Sequence, residues 1–284
     1  MTARPTRPVR FVTSALAAGA LLTTAACSDD GGSGAAASDV TASPVAEQSR
    51  AARPPAAKTP TPSPSGALTA AGARAALLTE ADLEDDWTQV GDKQAASWRE
   101  SLLVGTVDVA EFLTAKTDAD DCQKLLDTLY SDDLLGKPSG AGALRGFAQG
   151  DSRLLQQVAA YDKVALDESL AWMQTLPTEC DQFTATDDTG DERTVQVIKT
   201  SVPNVGDARQ GLRVTVRGPA GDTPATLTLD VAVVRVGTDA ITVTAGGLDG
   251  DESDSVEQAV RIGTERLKDV QAGRTPSADP GEVD

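Results

Sequence analysis

Between residues 193 and 245 apolar and polar side chains alternate with a period of two through several consecutive segments. In residues 211–217, Leu212, Val214 and Val216 stand against Arg213, Thr215 and Arg217. Residues 226–236 put Leu227, Leu229, Val231 and Val233 on one face, and Val234 and Val236 add apolar surface to the other, which suits a central strand. In residues 240–245 Ile241 and Val243 alternate with threonines, and residues 193–200 supply a further strand. Side chains in a strand point to opposite faces in turn, so this pattern specifies an antiparallel sheet with a packed face. Two earlier segments, 143–148 and 153–161, join the set, with Gln149-Gly-Asp-Ser152 as the turn between them.

Helices are expected before, between and after the strands. Leu77, Leu78, Leu83 and Trp87 bracket an acidic helix or turn. A helix starts near residues 118–121, and Cys122, Leu125, Leu126 and Leu129 fall on one face of it. A second carries Leu166, Leu170, Met173 and Leu176 and is expected to stop at Pro177. A last helix, over about 254–270, buries Val256, Val260, Leu267 and Val270, and the spacing of Asp254 and Glu257 fits a capping box. The expected fold is α+β: a mainly antiparallel sheet, helices packed on one face, and one intradomain disulfide.

The ends of the chain read differently. Arg4, Arg7 and Arg10 precede the uncharged stretch 11–26, which is too short to span a bilayer. Residues 1–26 are therefore expected to be a signal peptide. Thr24, Ala25 and Ala26 lead into Cys27, which resembles a bacterial lipoprotein signal, although the Leu usual three residues before the cysteine is Thr24 here. That resemblance implies lipidation of Cys27; a soluble secreted chain is the alternative. Residues 27–67, rich in Ala, Ser and Pro, lack the large apolar side chains that would offset ordering, and are expected to be a disordered tether. Residues 68–270 form the domain, and residues 271–284 an acidic, disordered tail.

Cys122 and Cys180 are the two cysteines of the domain. Export puts them in an oxidising compartment, where they have one intramolecular pairing, and a disulfide is expected. Their neighbours Asp121, Glu179 and Asp181 oppose a thiolate, so a reactive cysteine is the weaker alternative.

Composition limits function. The 284 residues contain no histidine, which removes Ser-His and Cys-His catalysis and histidine-ligated metals within this chain. A net charge of -18 opposes nucleic-acid binding and electrostatic docking on anionic lipid. There is no phosphate-binding glycine loop and no nucleophile elbow. Of three acidic clusters, at 118–121, 187–192 and 249–257, the last places Asp249, Asp251 and Ser253 like the first ligands of a calcium loop. Asp254 then stands where that loop needs glycine, so a solvated helix start is preferred. The expectation is no metal, no cofactor and no catalytic residue. Trp172, Phe183, Tyr161, Phe147, Val234 and Val236 are read as core, with a cavity wall as the alternative.

Leu77-Leu-Thr-Glu-Ala-Asp-Leu83 with Trp87, followed by helix, hairpin, a helix with Trp172 and Cys180, further strands and a closing helix, resembles the PknH-like extracellular sensor domains. These occur on bacterial receptor kinases and as lipoproteins of high-GC Gram-positive bacteria. The resemblance spans residues 68–270 and implies an α+β sheet with a groove that binds a ligand without catalysis. Family members often carry two disulfides, and this domain has cysteines for one. The resulting expectation is a lipid-anchored, extracytoplasmic sensor-type domain on the outer face of the membrane. It would take a small or amphiphilic envelope ligand; the alternatives are an envelope protein-interaction module and, behind that, a secreted hydrolase.

Overall fold

The computed structural model describes residues 67–83, 87–105, 107–248 and 250–277. The signal peptide, Cys27, the tether to residue 66 and the tail from residue 278 lie outside the described residues. In chain order the elements are α1 (Ala70–Ala75), a 3-10 turn (Glu80–Asp82), β1 (Thr88–Gln89), α2 (Asp92–Ala96), β2 (Leu103–Val104) and β3 (Val107–Asp108). There follow α3 (Val109–Thr114), α4 (Asp120–Thr128), β4 (Gly142–Gln149), β5 (Ser152–Ala160) and α5 (Lys163–Glu179). The last part holds β6 (Gln182–Thr186), β7 (Glu192–Lys199), β8 (Ala208–Ala220), β9 (Thr223–Val236), β10 (Asp239–Gly247) and α6 (Ser253–Gln271).

Eight strands form one antiparallel sheet in the order β1-β4-β5-β10-β9-β8-β7-β6, while β2 and β3 make a separate short hairpin. Alternation sets the register: Leu212, Val214 and Val216 of β8 face Val231, Leu229 and Leu227 of β9. Two-residue turns close β8 onto β9 and β9 onto β10, each opening with a glycine at positive φ (Gly221 at 61° and Gly237 at 66°). Glycine reaches that region without a Cβ penalty, and such turns match the twist of the strands they join.

The α+β class and the antiparallel sheet are as the sequence indicates, but helices cover both faces of the sheet rather than one. On one face β5, β7, β8 and β9 contribute Leu155, Val195, Val197, Leu212, Val214, Leu229 and Val231 to a core shared with α3, α4 and α5. On the other, Leu154, Val158, Ala232, Val234, Ile241 and Val243 pack under α1 and α6. The second apolar face of β9 is the reason: Val234 and Val236 would stay wet without α6 over them. Every residue of β10 is buried.

Three local expectations change. Pro177 does not stop α5; it sits inside the last turn, and the helix runs on to Glu179. Proline removes one donor, to the carbonyl a turn earlier, while the Cys180 amide still donates to Leu176 O at 2.8 Å. The capping box at Asp254 and Glu257 does not form: the N-cap of α6 is Glu252, and Asp251 accepts from the Ser253 amide at 3.2 Å. Strands β8 and β9 also run past Pro219 and Pro224, which lie opposite each other one pair outside the turn. At that position of an antiparallel ladder the amides point away from the partner strand, so neither proline removes a bond from the hairpin.

Cys122 and Cys180 are bonded, with Cα atoms 5.6 Å apart, joining α4 to the end of α5. Both are buried. Closing a loop of sequence separation 58 contributes about 4 kcal/mol on the loop-entropy model.

Candidate functional site

A cleft of about 330 Å³ opens where the start of α6 rides over the β8–β9 hairpin. Three pieces of chain make it. The segment after β7 supplies Thr200, Ser201, Val202 and Pro203; the hairpin supplies Arg213, Asp230, Val231 and Ala232; α6 supplies Ser253, Val256 and Glu257. Gly211 lets the first wall approach the sheet: a Cβ there would lie 2.5 Å from Val202 Cγ2 and 2.7 Å from Thr200 Oγ1. The Thr200 amide donates to Gly211 O at 3.0 Å and fixes that wall.

The register brings the charges together. Arg213 pairs with Asp230 across the hairpin on the face turned towards α6. Its Nε donates to Asp230 Oδ1 at 2.8 Å and its Nη2 to Oδ2 at 3.1 Å, while Nη2 also reaches Asp251 Oδ1 at 2.5 Å. Burial pushes the Asp230 carboxyl above its usual value, and the Arg213 guanidinium pulls back against that. In return, the hydrogen bond to Asp230 raises Arg213. Asp251 is lowered, first by its hydrogen bond with Ser253. Val202, Pro203, Ala232 and Val256 give the cleft apolar wall, and Thr200, Ser201 and Ser253 give it hydroxyls. Such a mix of apolar lining and a few convergent polar groups is typical of small-molecule sites, and the volume is at the small end of their range.

The sequence-predicted positions fall elsewhere. Trp172 is a tie between helices: its indole N–H donates to Asp121 Oδ1 at 3.0 Å, and Lys124 Nζ lies 3.8 Å from the ring centroid. Phe147, Tyr161, Val234 and Val236 are buried core, and Phe183 packs against the core edge. Asp187 closes a turn and holds Arg193 Nη1 at 2.6 Å. Among the described residues no group of three metal-binding side chains comes together, and no helix is long and apolar enough to cross a membrane. Cys27 lies outside the described residues. Sequence reasoning missed Arg213, Asp230 and Glu257. The signal was present for one pair: a two-residue turn at Gly221-Asp222 sets Arg213 opposite Asp230, opposite charges on strands otherwise patterned with Val, Leu and Thr.

The class these elements define is an α+β domain whose antiparallel sheet is sandwiched between helices, with a cleft under one of them. No family model matches the chain, and no curated protein matches it. Among solved structures it is similar to the extracellular domain of PknH from Mycobacterium tuberculosis, at 14% identity and a TM-score of 0.38, over 74% of this chain and 98% of that one.

Proposed function

We propose that the chain is a lipid-anchored, extracytoplasmic sensor-type domain that captures a small molecule without transforming it. The observation that carries this is the cleft between α6 and the β8–β9 hairpin, with its apolar walls and convergent hydroxyl and charged groups. The Thr24-Ala-Ala-Cys27 signal supports the anchor, and the disulfide accords with an oxidising compartment. Among the described residues two carboxylates, Asp230 and Glu257, line the cleft, which is the minimum a carboxylate hydrolase needs. Both oxygens of Asp230, however, are taken by Arg213, which leaves its carboxylate a structural partner instead of a proton donor to substrate.

A ligand that binds only the folded state raises its stability by mass action. Residues 28–284, exported by the native host without the anchoring cysteine and purified without detergent, disulfide intact, are therefore expected to melt at a higher temperature than the same sample after unfolding, dialysis and refolding. Equal midpoints would remove the case for retained ligand. Cys27→Ser is expected to move the chain from the membrane fraction to the medium.

A further inference from the structure

We infer that the occupant of the cleft carries a primary ammonium or a guanidinium group on an aliphatic stem, held at Glu257. This rests on the cleft being a binding site, and it concerns the charge of what binds. Among the described residues Arg213 is the one cationic side chain lining the cleft, and Asp230 and Asp251 both bond to it. Its charge is already outweighed within that triad. Glu257 then adds a further carboxylate: it lines the same cleft, is half-buried, and makes no hydrogen bond or ion pair among the described residues. At the start of α6 Asp251 already accepts from the Ser253 amide, and the Glu252 carboxylate, which accepts from Ser255 Oγ at 3.0 Å, stands as a further negative charge against an anion. An anionic ligand would meet Asp230, Asp251 and Glu257 together. A neutral one would leave Glu257 with no partner in a partly desolvated wall. A cation with N–H donors satisfies it.

The rest of the lining narrows the kind of cation. Among the described residues no aromatic side chain lines the cleft, and quaternary ammonium recognition depends on aromatic faces. Thr200, Ser201 and Ser253 are acceptors for the remaining protons of an ammonium or guanidinium. Val202, Pro203, Ala232 and Val256 are the surface for a short aliphatic stem. A bare inorganic cation would leave that surface wet.

Three probes of equal length and different charge test this: n-hexylammonium, n-hexanol and n-hexanoate, titrated into the 15N-labelled full chain. The readout is the amide shift of Val202, Ala232 and Val256. Hexylammonium is expected to shift these amides saturably, hexanol to bind about tenfold more weakly, and hexanoate to leave them in place. Glu257→Gln should bring hexylammonium down to the level of hexanol and leave hexanol unchanged. Asp254→Asn, which removes the same charge from the exposed side of the same turn, should change neither. Hexanol equal to hexylammonium, or an indifferent Glu257→Gln variant, would overturn the charge assignment and leave the cleft as a site. Failure of every probe to move these three amides would overturn the assignment together with the cleft reading on which it rests.

Discussion

Asp187 collects four donors in one turn. Its Oδ1 accepts from the amides of Thr189 and Asp191 and from Thr189 Oγ1, and its Oδ2 accepts from Arg193 Nη1. Arg193 in turn is buried, with its guanidinium carbon 4.5 Å from the centroid of the Phe112 ring. Removing one partner from a buried ion pair leaves the other uncompensated. The hydrogen bond from Arg193, above all, holds the Asp187 carboxyl far below its ordinary value of 3.8. A depressed carboxyl contributes stability that is present above the ordinary value and is lost as pH falls below it towards the folded value. Asp230 and Asp239, raised by burial, work in the opposite sense and favour the folded state on the acid side. Chemical denaturation of wild type across pH 2–6 is therefore expected to show stability falling below about pH 4. Asp187→Asn should be less stable at neutral pH and should flatten that acid limb. An unchanged limb in the variant would show that Asp187 is not the group responsible.

At the level of elements, the apolar seat of α6 on the sheet includes one close contact at Gly263. A Cβ at Gly263 would sit 2.7 Å from Gln156 Nε2 in the sheet below. Gln156 is fully buried, and its Oε1 accepts from the Leu78 amide at 2.8 Å, so it has little freedom to withdraw. Helix propensity alone would make Gly263→Ala a gain of about 1 kcal/mol. Overpacking costs about 1–3 kcal/mol. The contact should win, so Gly263→Ala is expected to destabilise the protein in urea unfolding. Its cost should shrink in a Gln156→Ala background, as coupled neighbours require. A stabilising single variant would mean that α6 does not sit this close to the sheet. Deleting apolar surface from the same helix gives a simpler case: Leu267→Ala is expected to cost about 2–5 kcal/mol, because Leu267 is fully buried.

Legibility in the sequence followed periodicity. α4, α5, α6 and strands β4, β5, β7, β8, β9 and β10 carry repeated apolar positions, and their existence could be read directly. β6 could not: Phe183 and Ala185 are its only inward apolar residues, and it adjoins an acidic turn. The short pieces α1, α2, α3, β2 and β3 span six residues or fewer and hold too few turns or alternations to show a period. Pro219 and Pro224 hid the outer end of the β8–β9 hairpin, because their tolerance depends on which way their amide positions face.

For the molecule as a whole, the sheet is the frame and its two faces have different tasks. The face towards α3, α4 and α5 is closed by the larger core and pinned by Cys122–Cys180. The face towards α6 is closed over β5, β9 and β10 and opens beside Arg213 and Asp230, and the cleft lies at that transition. Such a boundary is set by where a helix ends above a sheet, which periodicity does not reveal. The residues at it are separated by up to 57 positions in sequence, from Thr200 to Glu257. Hence the fold class and the disulfide were readable, and a groove was expected from the resemblance alone, but the residues that line the cleft were not readable.

Native mass spectrometry of residues 28–284, exported by the host without the anchoring cysteine and purified without detergent beside a Ser201→Trp variant, tests the central claim most directly. Ser201 is an exposed residue on the wall of the cleft, so the large side chain obstructs the site without entering the core. The expected spectrum shows an adduct on the wild type that is lost on denaturation and is missing from the folded variant. Both polypeptides should be two hydrogens lighter than the fully reduced mass. A bare wild-type polypeptide, or an adduct equally present on the variant, would contradict capture of a ligand in this cleft.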